Sequence, residues 1–177
     1  DLFTQDLRET LDQFEEADNF GSLIRPKLAN VQDVLAVLEA KNLGGNLFLQ
    51  RTHDKVLKVL LQADYLIPQY HVVVANPPYL DLGNMNPVLK SFVEKNYKDT
   101  KQGLDSTFIE NCRKKTVPQG FFALITQRSW MFLSRLEIFR RRIVSQSTLR
   151  ELCYLGTGVF PEINGEKVPN AAFVFEN

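Results

Sequence analysis

Apolar residues change their spacing along the chain close to residue 70. From Phe3 to Phe14, and again over residues 31–38 and 52–66, they recur every three or four positions, which is the period of an amphipathic helix. Asn30 precedes the second of these segments and is a good N-cap, because its side chain can accept a hydrogen bond from a free backbone N–H. This first part of the chain is therefore predicted to be helical.

From residue 70 onward, short apolar runs alternate with helical segments. Residues 71–75 and 121–126 are continuous apolar runs, which are typical of strands buried on both faces of a parallel sheet. The same patterns predict helices that begin at Asn86-Pro87 or cover 105–115 and 134–145, and strands over 149–155 and 171–175. The last two strands are separated only by a loop and should be antiparallel neighbours.

The order of these elements predicts an α/β fold with a helical segment in front of it. We expect residues 1–68 to form the helical segment and residues 69–177 to form the α/β part. A length of 177 residues by itself suggests one domain. The chain nevertheless opens on Asp1, inside a helical pattern and without an initiator methionine, so we expect it to be a piece of a longer protein.

The composition is that of an ordinary globular protein and excludes several other classes. Apolar residues make up 44% and charged residues 24%, which excludes a disordered tail or a collagen-like chain. Lysine plus arginine and aspartate plus glutamate each number 21, so any nucleic-acid contact must come from a local basic face. No apolar run approaches the roughly 20 residues that span a bilayer. Neither cysteine lies in a metal-ligand cluster, so we expect no metal site and a cytoplasmic location.

The tetrapeptide Asn76-Pro77-Pro78-Tyr79 directly follows the first predicted strand. Open α/β sheets bind their ligands beyond the carboxyl ends of the strands. The prolines make a rigid loop that presents carbonyl oxygens, the asparagine adds an amide oxygen, and the tyrosine adds an aromatic face. The simpler interpretation is a proline-rich turn after a strand.

Two rigid acceptors beside an aromatic ring suit a planar amine. An exocyclic NH2 group can donate to the Asn76 side-chain oxygen and to the Pro77 carbonyl, which frees the nitrogen lone pair to attack an electrophilic methyl group. Tyr79 can stack on the ring that carries the amine. A base in duplex DNA would first have to be flipped out of the helix.

The tetrapeptide resembles the catalytic motif of the S-adenosylmethionine-dependent amino-methyltransferases. Residues 154–161 and 171–175 resemble the last two strands of the adenine-N6 DNA methyltransferases. Residues 125–133 and 20–24 resemble more specifically the PglX-type enzymes of BREX phage-defence systems. The resemblance implies the C-terminal half of a Rossmann-like methyltransferase sheet.

The resemblance also implies the roles of individual residues. Asn76, Pro77 and Tyr79 match the catalytic positions. Pro78 and Phe160 match substrate-binding positions, with Phe160 packing on the flipped adenine from the other side. The alternative for Phe160 is a core position under the last loop. DNA is the implied partner of the parent enzyme.

No glycine-rich strand-to-helix turn, which would hold S-adenosylmethionine, precedes Asn76, and Gly44-Gly45 is interpreted as a helix end. We expect the main cofactor site to lie upstream of Asp1, and the fragment to be inactive alone. The strand at residues 71–75 would then have an unpaired edge through which the fragment self-associates, unless the N-terminal helices cover it.

Alternative functions are methylation of RNA or of a protein glutamine, which use the same acceptor geometry, and a non-catalytic assembly module. Residues 127–129 either line the site or cap a helix. The basic runs at 113–115 and 140–142 are interpreted as solvated faces, although they could contact phosphates.

Overall fold

The structure is a computed structural model that describes residues 5–28, 30–41, 46–157 and 169–177. Two compact units divide the chain, Asp1–Pro68 and Gln69–Asn177. The first unit contains helices and the second contains a four-stranded sheet with helices.

The first unit contains four α-helices: α1 (Gln5–Glu15), α2 (Ala17–Phe20), α3 (Val31–Glu39) and α4 (Leu47–Leu66). The predicted N-cap of α3 is confirmed, because the Asn30 side chain accepts a hydrogen bond from the Asp33 N–H at 3.3 Å. Helix α4 begins five residues earlier than predicted, since the Asn46 side chain accepts from the N–H groups of Phe48 and Leu49. The apolar faces of these helices form a core that includes Leu7, Leu28, Val31, Leu35, Leu38 and Leu60.

The second unit is built on strands β1 (Tyr70–Ala75), β2 (Thr116–Gln127), β3 (Thr148–Gly156) and β4 (Asn170–Glu176). Their order in the sheet is β1-β2-β4-β3. Strands β1 and β2 are parallel, whereas β4 pairs antiparallel with both β2 and β3. The predicted α/β class, the helical segment before the sheet and the antiparallel pairing of the last two strands are confirmed.

Helices α5 (Pro87–Asn96), α6 (Leu104–Lys115) and α7 (Glu137–Gln146) connect the strands. The Asn86 side chain caps α5 at the Leu89 N–H, and Pro87 occupies its first turn, as predicted. The helices and the sheet share an aromatic-rich core: Ile109, Cys112, Phe122, Leu124, Trp130, Leu136, Phe139, Ile143, Phe173 and Phe175.

Strand β1 is not buried on both faces, so that prediction was wrong. Val73 and Ala75 pack against the core, but Val72 is 61% exposed and Val74 is 73% exposed. The apolar run therefore has one buried face, because the connecting helices of this unit pack against Val73 and Ala75 and leave the alternate residues of the strand exposed.

The pairing of β1 with β2 is irregular near its start. Between Tyr70 and Val72 strand β1 advances by two residues, while β2 advances by five, from Thr116 to Phe121. Gln119 adopts a φ of 65° in this extra stretch. Gly120 follows it, and a Cβ atom there would lie only 2.7 Å from the carbonyl oxygen of His71. The irregularity thus depends on close backbone approach at Gly120.

Candidate functional site

The loop formed by residues 76–79 leaves the carboxyl end of β1, at the edge of the sheet where β2 also ends. Ala75 pairs with Leu124, and β2 continues for three more residues to Gln127. Gln127 in turn pairs with Asn170 at the start of β4, and Asn170 pairs with Gly156 at the end of β3. One edge of the sheet therefore collects the 76–79 loop and the ends of the other three strands. Phe160 lies outside the described residues.

The members of the 76–79 loop differ in exposure. Asn76 is exposed and borders a cleft of about 460 Å³ on the exposed face of the sheet, beside the small side chains of Ala75 and Ala123. Pro77 is buried and Pro78 is exposed, with the Pro78 carbonyl accepting a hydrogen bond from the Leu80 N–H at 3.1 Å. The amide of Asn76 is thus presented to solvent on an anchored loop.

The chain just after the loop is attached to the start of α6. The Leu82 N–H donates to the Gln102 carbonyl at 3.0 Å, and the Leu104 N–H donates to the Leu80 carbonyl at 2.9 Å. These bonds form an antiparallel bridge between Asp81 and Gly103. The backbone that follows the 76–79 loop is therefore held by hydrogen bonds to residues about 20 positions later in the sequence.

Tyr79 is half-buried and lies within electrostatic reach of the Asp105 carboxylate. Burial raises the pKa of the Tyr79 hydroxyl, and the negative charge of Asp105 raises it further. Burial also raises the pKa of Asp105, against the hydrogen bond from the Ser106 N–H, and the nearby Asp81 acts in the same direction as burial. The phenol of Tyr79 therefore stays neutral at physiological pH.

Sequence reasoning missed Asp105. The carboxylate is buried beside Gly103, where a Cβ atom would lie 2.5 Å from Asp105 Oδ1. The helical period was a signal that could have found it, since Asp105 lies four and seven residues before the buried Ile109 and Cys112. A polar residue on the apolar face of a helix is a candidate for a structural or site role.

A buried polar network stabilises the segment that precedes α6. Glu110 accepts hydrogen bonds from Thr100 at 2.9 Å, from Arg142 at 3.2 Å and from Lys114. Burial acts to raise the pKa of Glu110, but these bonds together hold it below its usual value. Arg142 also pairs with Asp99 at 2.6 Å. The network therefore joins the segment around Thr100 to α6 and α7.

Two arginines of the basic run at residues 140–142 form hydrogen bonds within the protein instead of facing solvent. Arg140 donates to the Trp130 carbonyl at 3.0 Å and to the carbonyl of Leu133, and Arg142 joins the network described above. The interpretation as a solvated face is therefore wrong for these two residues. It holds for Arg141, which is exposed and paired with Glu137 one helical turn earlier.

Residues 127–129, by contrast, line a second cavity of about 370 Å³ where β2 ends. Phe132 and Pro169 complete its described lining. The guanidinium of Arg128 lies over two aromatic rings, at 5.6 Å from the Phe132 centroid and 5.1 Å from the Tyr154 centroid. The described lining of this cavity does not include the 76–79 loop, so the place of these residues at that site stays a prediction.

Comparison with protein families assigns the chain. The model of the Eco57I restriction-modification methylases matches residues 7–160. The chain belongs to this family. The match spans both units, so the helical first unit and the 76–79 loop are parts of one family pattern.

Two curated relatives agree with the family assignment. The chain is 35% identical over 176 residues to the adenine-specific methyltransferase PglX of Lacticaseibacillus casei (strain Zhang), with 96% of this chain covered. It is 32% identical over 174 residues to the adenine-specific methyltransferase BrxX of Escherichia coli O9:H4 (strain HS), with 97% covered. The chain spans only 15% and 14% of the length of these relatives.

Among solved structures, the M protein of the type I restriction enzyme EcoKI is similar at a TM-score of 0.47 and 20% identity. The match covers 64% of this chain and 22% of that chain. In the described part of this chain, no helix combines the length and the apolar character that crossing a membrane requires. Within the same residues, no group of three or more His, Cys, Asp or Glu side chains is placed to hold a metal ion.

Proposed function

We propose that this chain is part of an adenine-specific DNA methyltransferase that transfers a methyl group to N6 of an adenine flipped out of the duplex. The observation that carries the proposal is the anchored 76–79 loop at the carboxyl edge of the sheet, with the Asn76 side chain exposed. Membership of a methylase family and the names of two relatives support it. The parent enzyme would act in the cytoplasm, in restriction-modification or phage defence.

The acceptor amine would be held by two oxygens. The Asn76 Oδ1 and the Pro77 carbonyl each accept one N–H of the amino group, so the nitrogen lone pair is directed away from the adenine ring. As the nitrogen is methylated it gains positive charge, which both oxygens stabilise. Tyr79 would supply a neutral aromatic face for stacking, and Pro78 and Phe160 are assigned as substrate-binding residues from the family resemblance alone.

S-adenosylmethionine would supply the methyl group. The residues of this chain do not fit a complete cofactor site, since the described elements before β1 are all helical and the sequence shows no glycine-rich strand-to-helix turn before Asn76. We therefore assign residues 69–177 as the acceptor half of the catalytic domain and residues 1–68 as a helical segment before it. The main cofactor site then belongs to other parts of the parent protein, and this chain alone is inactive.

The acceptor identity can be tested with the full-length protein that contains this chain. With labelled S-adenosylmethionine, we expect label in DNA as N6-methyladenine, and none in RNA or in protein glutamine, which are the alternative acceptors of the same geometry. The isolated 177-residue chain should transfer no label. Transfer to RNA or protein alone would contradict the DNA assignment, and no transfer to any acceptor would favour an assembly module.

We further propose that the isolated chain self-associates through β1. This strand is the first in the sheet order β1-β2-β4-β3, so β2 is the one described strand that pairs with it. Its exposed residues Val72 and Val74 are apolar. An apolar edge strand is a template for pairing with another chain, whereas a lysine on such a strand opposes it.

Sedimentation of the isolated chain should therefore show concentration-dependent dimers or larger species. Val74→Lys should shift the distribution to monomer, while Val144→Lys, on the exposed face of α7, should leave it unchanged. A monomeric wild-type chain at concentrations of about 100 µM would contradict self-association, because specific protein interfaces commonly bind more tightly than this.

A further inference from the structure

We infer that Arg128 binds a phosphate of the nucleic-acid backbone next to the methylated base. Its guanidinium is held by the rings of Phe132 and Tyr154. The inference rests on the proposed function and names a contact that the acceptor chemistry does not require. It concerns the cavity at the end of β2, not the 76–79 loop.

The first argument is that, in the described part of the chain, Arg128 differs from the other arginines of the second unit in its lack of a charged or hydrogen-bonding side-chain partner. The second unit contains six other arginines, and five of them donate hydrogen bonds to protein acceptors: Arg113, Arg140, Arg141, Arg142 and Arg150. The sixth, Arg135, lies within electrostatic reach of Asp105. Within the described residues, no carboxylate forms a salt bridge with Arg128. Within the described part of the chain, the charge of Arg128 is therefore available to a ligand.

The second argument is how the side chain is held. Two aromatic rings attract the guanidinium through their π faces and orient it without neutralising its charge. Both rings are themselves exposed, Phe132 by 67% and Tyr154 by 58%. Exposed aromatic rings around an arginine are the composition that proteins use to bind unstacked nucleic acid.

The third argument is position. Leu124 of β2 pairs with Ala75 of β1. Counted from this pair, Asn76 follows by one residue on its strand and Arg128 follows by four residues on the other. The two are separated along the strand direction by about three residues, on the order of 10 Å. A nucleotide that places its base at Asn76 would bring its sugar–phosphate backbone within reach of this end of the sheet.

The fourth argument is the cavity itself. Its lining combines Arg128 with Gln127 and Ser129, whose side chains are of the kind that contact phosphate oxygens. A volume of about 370 Å³ is within the range of small-ligand sites. The zero net charge of the chain is compatible with this, since one oriented arginine supplies local positive charge for a single phosphate.

The test is steady-state methylation of duplex DNA by the full-length protein at several salt concentrations, comparing wild type with Arg128→Gln. We expect the KM for DNA to rise about tenfold, as for loss of one charged hydrogen bond. The slope of log binding constant against log salt concentration should fall in magnitude by about 1, which corresponds to one released counterion fewer. The kcat at saturating DNA, the affinity for S-adenosylmethionine and the melting temperature should stay close to wild type.

Two further variants test whether the effect depends on the positive charge at position 128 and on that position in particular. Arg128→Lys keeps the charge, so its salt dependence should remain that of wild type. Arg141→Gln removes an exposed arginine that is already paired with Glu137, and should change neither the KM nor the salt dependence. An equal loss of salt dependence in Arg128→Lys and Arg128→Gln would overturn the assignment.

Failure of this inference can be told apart from failure of the proposed function. An unchanged KM and salt dependence in Arg128→Gln, in an enzyme that still methylates DNA, would overturn the phosphate contact alone. A fall in melting temperature and cofactor affinity along with the rise in KM would also overturn it, by showing a structural role. If the wild-type protein methylates no DNA, fluorescence anisotropy with labelled duplex still decides whether Arg128 binds phosphate.

Discussion

Replacing Asn76 by alanine is expected to reduce the kcat of methyl transfer by roughly 10²- to 10³-fold in the full-length protein, the range found when one preorganised hydrogen-bonding group is removed from developing charge. The amide oxygen accepts an N–H of the target amine and stabilises the positive charge that the nitrogen gains. Alanine leaves that charge without one of its two acceptors. Binding of DNA and of cofactor should change little, because this interaction strengthens only as the methyl group is transferred.

The measurement is the rate of N6-methyladenine formation under single-turnover conditions, together with separate binding titrations for DNA and S-adenosylmethionine. The matched control is Asn84→Ala, since Asn84 is also exposed and lies in the segment that follows the 76–79 loop. Its kcat should stay near the wild-type value. An Asn76→Ala variant that methylates at the wild-type rate would exclude the catalytic assignment of the loop.

Replacing Gly120 by alanine is expected to destabilise the second unit by about 2–3 kcal/mol, as for other overpacked interior positions. The added Cβ would lie 2.7 Å from the His71 carbonyl oxygen, 2.8 Å from Thr116 Cγ2 and 3.0 Å from the Val117 carbonyl oxygen. Two of these neighbours are backbone atoms, which cannot move without disturbing the pairing of β1 with β2. The strand that carries the 76–79 loop would therefore shift.

Urea denaturation of the 177-residue chain measures this effect. Gly83→Ala is the matched control, because a Cβ atom at Gly83 meets no atom within 4 Å and the residue does not require a positive φ. Its free energy of unfolding should stay within about 0.5 kcal/mol of wild type. Equal free energies of unfolding for the two variants would contradict the prediction, because β1 and β2 would then accommodate the added Cβ atom at Gly120 without destabilisation.

Local chemistry predicted the helix starts well. Asn30, Asn46 and Asn86 each accept a hydrogen bond from a backbone N–H of the following helix, and Pro87 occupies the first turn of α5. Asn30 and Asn86 are predicted as caps from the sequence, whereas Asn46 is not, and α4 therefore begins earlier than expected. Such caps are decided within a few residues of chain and can therefore be inferred without a fold.

Burial was predicted less well, because it depends on what packs over a residue. The run at residues 71–75 has the composition of a strand covered on both faces, yet Val72 and Val74 are exposed. Conversely, α6 buries Asp105, Ser106, Thr107, Glu110 and Asn111, which its polar sequence did not suggest. These groups are tolerated inside because partners distant in sequence satisfy them, as Arg142 does for Glu110.

In the candidate site, too, some features follow from local sequence and others only from tertiary packing. The sequence alone determined the 76–79 loop, its place after a strand, the α/β order and the family resemblance, because each depends on neighbouring residues and on short-range spacing. Only the tertiary structure decided that Asp81 bridges to Gly103, that Asp105 lies near Tyr79, and that Arg128 meets the rings of Phe132 and Tyr154. Those contacts join residues from separate elements, and the pairing register and packing that bring them together are properties of the folded chain as a whole.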